Sequence, residues 1–331
     1  MKKYTHAWLA FMAMKRLEKA KIPEKQKPYA QSLVKWFKNY RDFVISGAWY
    51  PDAVFKDMAT GHVVKYSPVK CDDGAEVAFR SLPRSSEMYK LGKTSPLYRK
   101  SYTIDSGNCA DRVEAFAHSI VDCLKIQFKE DKGNPVAPCN NYIAMRFFIM
   151  SHYVADCHMP LHCDSRPFSK GSNIHGYIEE QWDEQVRNSY QIDFGNNRFF
   201  YDPEGYPLQT DAMTPLISHC EERLVKREYI HGWCGENNNT WDFMSSVSQY
   251  SYLMAYHLFS QGTNAEKLTI PQFKQMDAWQ QFDKYSEMIM DDAIDAIARI
   301  WLHAWIRFQD YAANPLPEDS DEGDGADVQV D

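Results

Sequence analysis

The stretch from Asn140 to His162 reads Asn-Asn-Tyr-Ile-Ala-Met-Arg-Phe-Phe-Ile-Met-Ser-His-Tyr-Val-Ala-Asp-Cys-His-Met-Pro-Leu-His. As far as His158 it is the most apolar helical run in the chain, with Ile143, Ala144, Phe147, Phe148, Met150 and Val154 recurring at helical spacing. It stops before Pro160, because proline disfavours helical geometry in the residue that precedes it. A helix this apolar is buried, yet it carries His152 and Asp156. Four residues apart, these two project from one face about one turn from each other. An ionised Asp on such a face must be paired or metal-bound, since burying it alone is prohibitive. His162 follows the break, where the chain can bend and aim a third ligand at the same spot.

Outward from this helix the same period dominates. Trp8 to Glu18 is helical, Pro23 and Pro28 bracket a loop, and Tyr29 to Ile45 reads as a second helix closed by Ser46-Gly47. Residues 48 to 108 are rich in turn formers and poor in periodicity. Cys109 to Phe128 places Val113, Phe116, Ala117, Ile120 and Leu124 on one face and gives out at Gly133-Asn134-Pro135. His175–Arg187, Thr214–Tyr229, Asn239–Phe259 and Tyr285–Tyr311 are helical as well. No internal repeat and no set of alternating strands is present. The expectation is an all-α fold, a single multi-helical domain over residues 1–314 with about seven to ten helices.

The 331 residues are 44% apolar and 25% charged, an ordinary globular balance. Net charge is −8, but seven acids and no Lys or Arg lie between Pro315 and Asp331, so the rest of the chain carries −1. Residues 315–331 therefore read as a disordered acidic tail whose partner the sequence does not name. A near-neutral body excludes a broad basic surface for duplex nucleic acid. The eight cysteines form no CxxC pair, and neither a signal peptide nor a transmembrane stretch is visible. The localisation this implies is cytoplasmic, or secreted if the given start is a processed terminus.

Thirteen residues beyond His162 comes His175-Gly176-Tyr177-Ile178-Glu179, a second His/carboxylate pair at i, i+4. With His152, Asp156 and His162 it gives five nitrogen and oxygen ligands within 28 residues. Imidazole with carboxylate suits Zn²⁺ and, less selectively, Mn²⁺ or Fe²⁺. The amino-terminal half offers His6, Asp52 after Tyr50-Pro51, and His62 in Thr60-Gly61-His62-Val63. Each of these alone is equally compatible with packing, capping or a surface turn. His158, on another face of its helix, is set aside, as are His118, His219, His231, His257 and His303, which lack partners at metal spacing. Cys157 and Cys163 read as small core residues. Asp183 is a weaker candidate than Glu179, lying eight residues from His175.

Taken together, these residues resemble the family of zinc-dependent phospholipases C and S1/P1-type nucleases. The ligand types match in order at His6, Asp52, His62, His152, Asp156, His162, His175 and Glu179, and the segment His152-x₃-Asp156-x₅-His162 carries the resemblance most strongly. It covers residues 1 to about 185, and because the stretch between His62 and His152 is longer than usual for the family, it implies that residues 70 to 108 are an insertion near the cleft. It implies an all-helical enzyme holding up to three Zn²⁺ ions: one on Asp52, His62, His152 and Asp156, a second on His162, His175 and Glu179, and a third on His6, Asp156 and the amino and carbonyl groups of the first residue. The family has Trp at that first position where this chain has Met1. The implied activity is hydrolysis of phosphoric diesters by a water that the trinuclear cluster activates for attack on phosphorus, with Asp52 as the catalytic carboxylate. Val63 stands where the family often has an aromatic, which removes a stacking surface for a nucleobase. Glu179 and the short His162–His175 gap are more similar to the phospholipase branch. The expected substrate is thus a phospholipid, met by transient membrane-surface contact; the alternative is single-stranded nucleic acid and an S1/P1-type nuclease. A non-catalytic zinc-binding helical module is a further alternative. An HD-type phosphohydrolase is excluded, because no His-Asp dipeptide occurs.

Overall fold

A computed structural model describes residues 1–56, 59–66, 104–129, 137–226, 240–260 and 262–313. The acidic tail, most of the 70–108 insertion, the Gly133-Asn134-Pro135 break, Cys71, Cys234 and His231 lie outside the described residues. Within them the protein is all-α. Eleven α-helices are present: α1 (Lys3–Lys19), α2 (Lys27–Lys38), α3 (Val44–Tyr50), α4 (Cys109–Lys129), α5 (Asn140–His158), α6 (Ile174–Ser189), α7 (Pro215–Lys226), α8 (Thr240–Leu258), α9 (Ile270–Phe273), α10 (Asp277–Gln280) and α11 (Phe282–Ala313). The count exceeds the expected seven to ten because α9 and α10 are single turns too short to show a period. Among the described residues strand structure amounts to two small antiparallel ladders, β1 (Lys65–Tyr66) with β2 (Ile104–Ser106) and β3 (Ile192–Asp193) with β4 (Arg198–Phe199), and a few isolated bridges.

Three helices form the centre. α1 is buried at thirteen of its seventeen positions, α5 from Phe147 to His158 without interruption, and α11 from Ile289 to Trp305. A helix apolar on all sides has no solvent face and must be covered by others. Accordingly α1 packs on α3 and α11, α5 on α3, α4 and α11, and α4 on α8. Aromatic side chains fill the gaps: Phe37 meets Trp301 at 4.7 Å and Phe147 edge-on at 5.2 Å. Two buried arginines of this core share one carboxylate. Arg299 Nε donates to Asp295 at 2.7 Å, and Arg16 reaches the same carboxylate at 3.3 Å while donating to the Leu224 carbonyl at 2.7 Å.

The expected helix Tyr29–Ile45 is not continuous. α2 ends at Lys38, and a tight turn follows in which Tyr40 N–H donates to Phe37 O at 2.8 Å and Phe43 N–H to Tyr40 O at 3.0 Å. The expected stop at Ser46-Gly47 is also wrong, because both residues lie inside α3. Gly47 serves a different purpose there. A Cβ at this position would lie 2.6 Å from Phe148 Cβ, so glycine lets α3 press against α5. α3 then widens into a π-helical turn over Pro51–Phe55, which carries Asp52; this acid therefore continues a helix instead of following its end.

Candidate metal centre

Four regions deliver the expected residues to one place. The apolar face of α5 fixes His152 and Asp156, which are 0% and 2% exposed. Because α3 approaches α5 closely at Gly47, the π turn places Asp52 beside them, with Oδ1 3.7 Å from His152 Nε2 and 3.8 Å from His62 Nδ1. His62 sits just past a 3₁₀ turn (Ala59–Gly61). Two backbone bonds hold its loop to the start of α4, Asn108 N–H to Thr60 O at 2.8 Å and Cys109 N–H to Val63 O at 3.2 Å. Gly107, at φ +104°, permits that approach, since a Cβ there would be 2.1 Å from Val63 O. His162 closes a 3₁₀ turn after Pro160 and is tied to the same loop. Its Nδ1 donates to His62 O at 3.2 Å, and Lys65 Nζ donates to the Leu161 and Asp164 carbonyls at 3.2 and 2.7 Å.

α6 and α1 complete the cluster. Asn173, at φ 50°, caps α6 by accepting Gly176 N–H at 3.0 Å, and the first two turns carry His175 and Glu179, 2.9 Å apart. α1 places His6 in a parallel stack on His152, with centroids 3.9 Å apart. The buried amino group of Met1 lies 2.9 Å from Asp156 Oδ1 and 2.8 Å from Glu179 Oε1. All nine expected positions thus converge. Three sets have ligand atoms within 4.8 Å of one another: His6, His152 and Asp156; Asp52, His62 and His152; and His162, His175 and Glu179. His158 faces elsewhere, with Nδ1 donating to Val154 O and Nε2 3.3 Å from Asp292 on α11. His118 pairs with Glu114 on the surface, and Cys157 and Cys163 are buried.

The protonation pattern is informative. His152 Nδ1–H donates to the Ala48 carbonyl at 2.7 Å, and its Nε2 meets His62 Nδ1 at 3.0 Å and Asp156 Oδ2 at 3.1 Å. His162, bound through Nδ1–H, directs its Nε2 lone pair at Glu179 Oε1, 3.3 Å away. Neither nitrogen of His6 has a hydrogen-bond partner, although the ring is buried. Lone pairs facing carboxylates in a buried space repel unless a cation stands between them, and a carbonyl that fixes the tautomer from behind is the usual support of a metal-binding imidazole. Burial, with the nearby His152 and amino terminus, pushes His6 down to about 3; burial likewise pushes His162 down to about 4 against the pull of Asp156 and Glu179. Both rings are therefore neutral at neutral pH. Burial alone would raise Asp156 and Glu179, but the Met1 ammonium and the surrounding imidazoles hold both well below the usual carboxylate range. The ammonium in turn, despite its burial, is raised from 8.0 to about 11 by those two carboxylates. Asp52 behaves differently: burial and the Asp156 carboxylate raise it against His152. With Asp52, Asp156 and Glu179 ionised, the ammonium is a single positive charge among three negative ones, so the cavity suits further cations, and its nitrogen and oxygen donors fit Zn²⁺.

Sequence reasoning missed the role of Asp183. This carboxylate, 6% exposed, accepts the backbone N–H groups of Tyr4 and Thr5 at 2.8 and 3.0 Å. The one sequence signal was its position one helical turn past Glu179. The clamp beyond His162 was also missed: Asp164, wholly buried, accepts from Arg166 Nε at 2.8 Å, and Arg166 reaches the Phe259 and Ser260 carbonyls.

No family model and no curated protein matches the chain. Among solved structures it is similar to the alpha toxin from Clostridium absonum, at 15% identity and a TM-score of 0.41, over 95% of this chain and 66% of the toxin. The chain thus spans just under two thirds of the toxin's length.

Proposed function

We propose that the protein is a zinc-dependent phosphodiester hydrolase of the phospholipase C type, holding up to three ions. The observation that carries this reading is the meeting of nine donor residues from six parts of the chain, with imidazole nitrogens 3.1 and 3.3 Å from buried carboxylates. Asp52, His62, His152 and Asp156 would hold one ion; His162, His175 and Glu179 a second; and His6, Asp156 and the Met1 terminus a third. Bound zinc supplies Lewis acidity and brings the pKa of water down to about 7. The chain does the rest. The backbone carbonyls of Ala48 and His62 keep His152 and His162 in the tautomer that presents Nε2. Asp52 is the one carboxylate of the cluster with substantial exposure, 35% for its side chain, so it can meet solvent and substrate. Its raised affinity for protons suits it to orient an attacking water and take its proton. Attack in line on phosphorus then releases an alkoxide.

Two features favour a phospholipid over a nucleic acid. Val63, 9% exposed, offers no ring for a base beside His62. Val54 and Phe55, 55% and 45% exposed, lie two and three residues after Asp52 and give its turn an apolar rim suited to acyl chains and a membrane surface. The test is elemental analysis with hydrolysis of phosphatidylcholine and of single-stranded DNA in parallel. Wild type should carry zinc and prefer the lipid, while His152→Ala and Glu179→Ala should each lose zinc and activity. Full activity in either variant would refute the proposal, and DNA cleavage without lipid cleavage would move it to the nuclease reading.

A further inference from the structure

α6 grips the amino end of α1 at two points. Glu179 reaches the Met1 amino group at 2.8 Å, and one helical turn later Asp183 Oδ1 takes the N–H groups of Tyr4 and Thr5, with Thr5 Oγ1 3.4 Å away. α1 has no such support of its own. Its N-cap, Lys2, makes no side-chain cap bond, and its first turn holds no acid. The first N–H groups of a helix lack partners within the helix and need an acceptor when buried. Asp183 supplies one from 178 and 179 residues away, and its negative charge also suits the positive end of the helix. The remaining oxygen, Oδ2, is 3.1 Å from Arg187 Nε, which fixes the carboxylate's orientation.

His6 follows Thr5 directly, and its Nε2 lies 3.4 Å from Asp156 Oδ1, with neither ring nitrogen held by a well-formed hydrogen bond. Its position is set by the path of α1 and by the stack on His152. We propose that Asp183 is a positioning residue of the metal centre: by fixing the first turn of α1 it aims the Met1 amino group and the His6 imidazole at Asp156, and so builds the third cation site. This rests on the metal-centre reading given above.

The test compares wild type with Asp183→Ala and Asp183→Asn. It measures zinc per chain, the affinity of each ion by competition with a chromophoric chelator, and, in the metal-free chains, the rate at which the α-amino group is acylated. Asp183→Ala should lose one ion, or bind its weakest ion at least tenfold less tightly, and keep the others; its α-amino group should react at least tenfold faster. Asp183→Asn, which retains an acceptor oxygen, should recover most of both. A residue that merely stabilises the fold would lower the melting temperature and leave ion number and affinity unchanged. A folded Asp183→Ala with wild-type zinc binding and amine reactivity overturns the proposal. If that variant does not fold, Asp183→Asn decides: its neutral amide accepts less strongly, so the weakest ion should be bound about threefold less tightly, and equal affinity at every site overturns the proposal. A wild type that binds no zinc overturns the metal centre and this inference with it, whereas zinc-loaded wild type with an unaltered Asp183→Ala overturns this inference alone.

Discussion

Replacing Asp156 with Asn keeps the shape of the side chain and removes its charge, so it separates the two states of the centre. In the metal-free chain the carboxylate is 2% exposed, 2.9 Å from the Met1 ammonium through Oδ1 and 2.9 Å from His62 Nδ1 through Oδ2. Removing one partner of a buried ion pair costs about 3–5 kcal/mol. Here Glu179 remains 2.8 Å from the same ammonium, and Asp52 is relieved of a like charge, so a loss of about 1–3 kcal/mol is expected. With zinc the loss is larger. An ion present at a thousand times its Kd adds about 4 kcal/mol to stability, so three ions add about 12 kcal/mol. Asp156 is shared by two of the three proposed ions, and the gain from zinc should fall to about 4 kcal/mol. Urea unfolding of each protein, once with chelator and once with excess zinc, gives both quantities. An equal gain from zinc in wild type and Asp156→Asn would refute the shared-ligand assignment; no gain in either would refute the metal centre.

Two further outcomes follow from the same geometry. In the metal-free chain His6 and His162 take protons only at about 3 and about 4, below the 6.5 of a free imidazole, so the unfolded chain binds those protons first and stability falls as pH drops from 6.5 toward 4. The Met1 ammonium has the opposite sign: raised from 8.0 to about 11, its contribution, up to roughly 4 kcal/mol, is whole below pH 8 and lost as pH climbs to about 11. The urea midpoint should therefore be highest between these limits, and a midpoint that stays constant as pH rises above 8 would show that no buried ammonium pair exists. Gly47→Ala should destabilise the fold by about 1–3 kcal/mol in thermal unfolding, because the added Cβ would meet Phe148 Cβ at 2.6 Å; a gain of about 1 kcal/mol, the ordinary benefit of Ala over Gly in a helix, would show that α3 is free to move.

How much of this was legible depended on where each residue's partner lies. α5 was readable to the residue, because its apolar period and Pro160 are local. His152 with Asp156, and His175 with Glu179, were readable for the same reason: four residues on one helix fix a shared face. The α2–α3 break was not, because Gly47 looks like a helix stop and is in fact a contact with Phe148, a hundred residues on. Spacing alone could not bring His6, Asp52 and His62 to α5; the resemblance supplied their order, and the packing of α1 and α3 on α5 supplies the distances. Asp183 escaped because its partners are backbone N–H groups of α1, which carry no signature in side-chain pattern.

The cluster sets the fold an electrostatic problem. Asp156 and Glu179 are both nearly buried, and burial alone would keep them protonated. The Met1 ammonium, in contact with both at 2.9 and 2.8 Å, lets them ionise while the chain folds. His6 and His162 stay neutral, and the carbonyls of Ala48 and His62 accept from the Nδ1–H of His152 and His162, which turns each Nε2 toward the cluster. On the metal-centre proposal, binding an ion would require little reorganisation of these side chains: the ammonium would give up its proton, and imidazole nitrogens that stand beside carboxylates would face a cation instead. On that proposal the preorganisation of the centre would lie in its backbone supports, which is the ground for expecting Asp183→Ala, a change at a carboxylate on the first turn of α1, to weaken an ion that Asp183 itself does not hold.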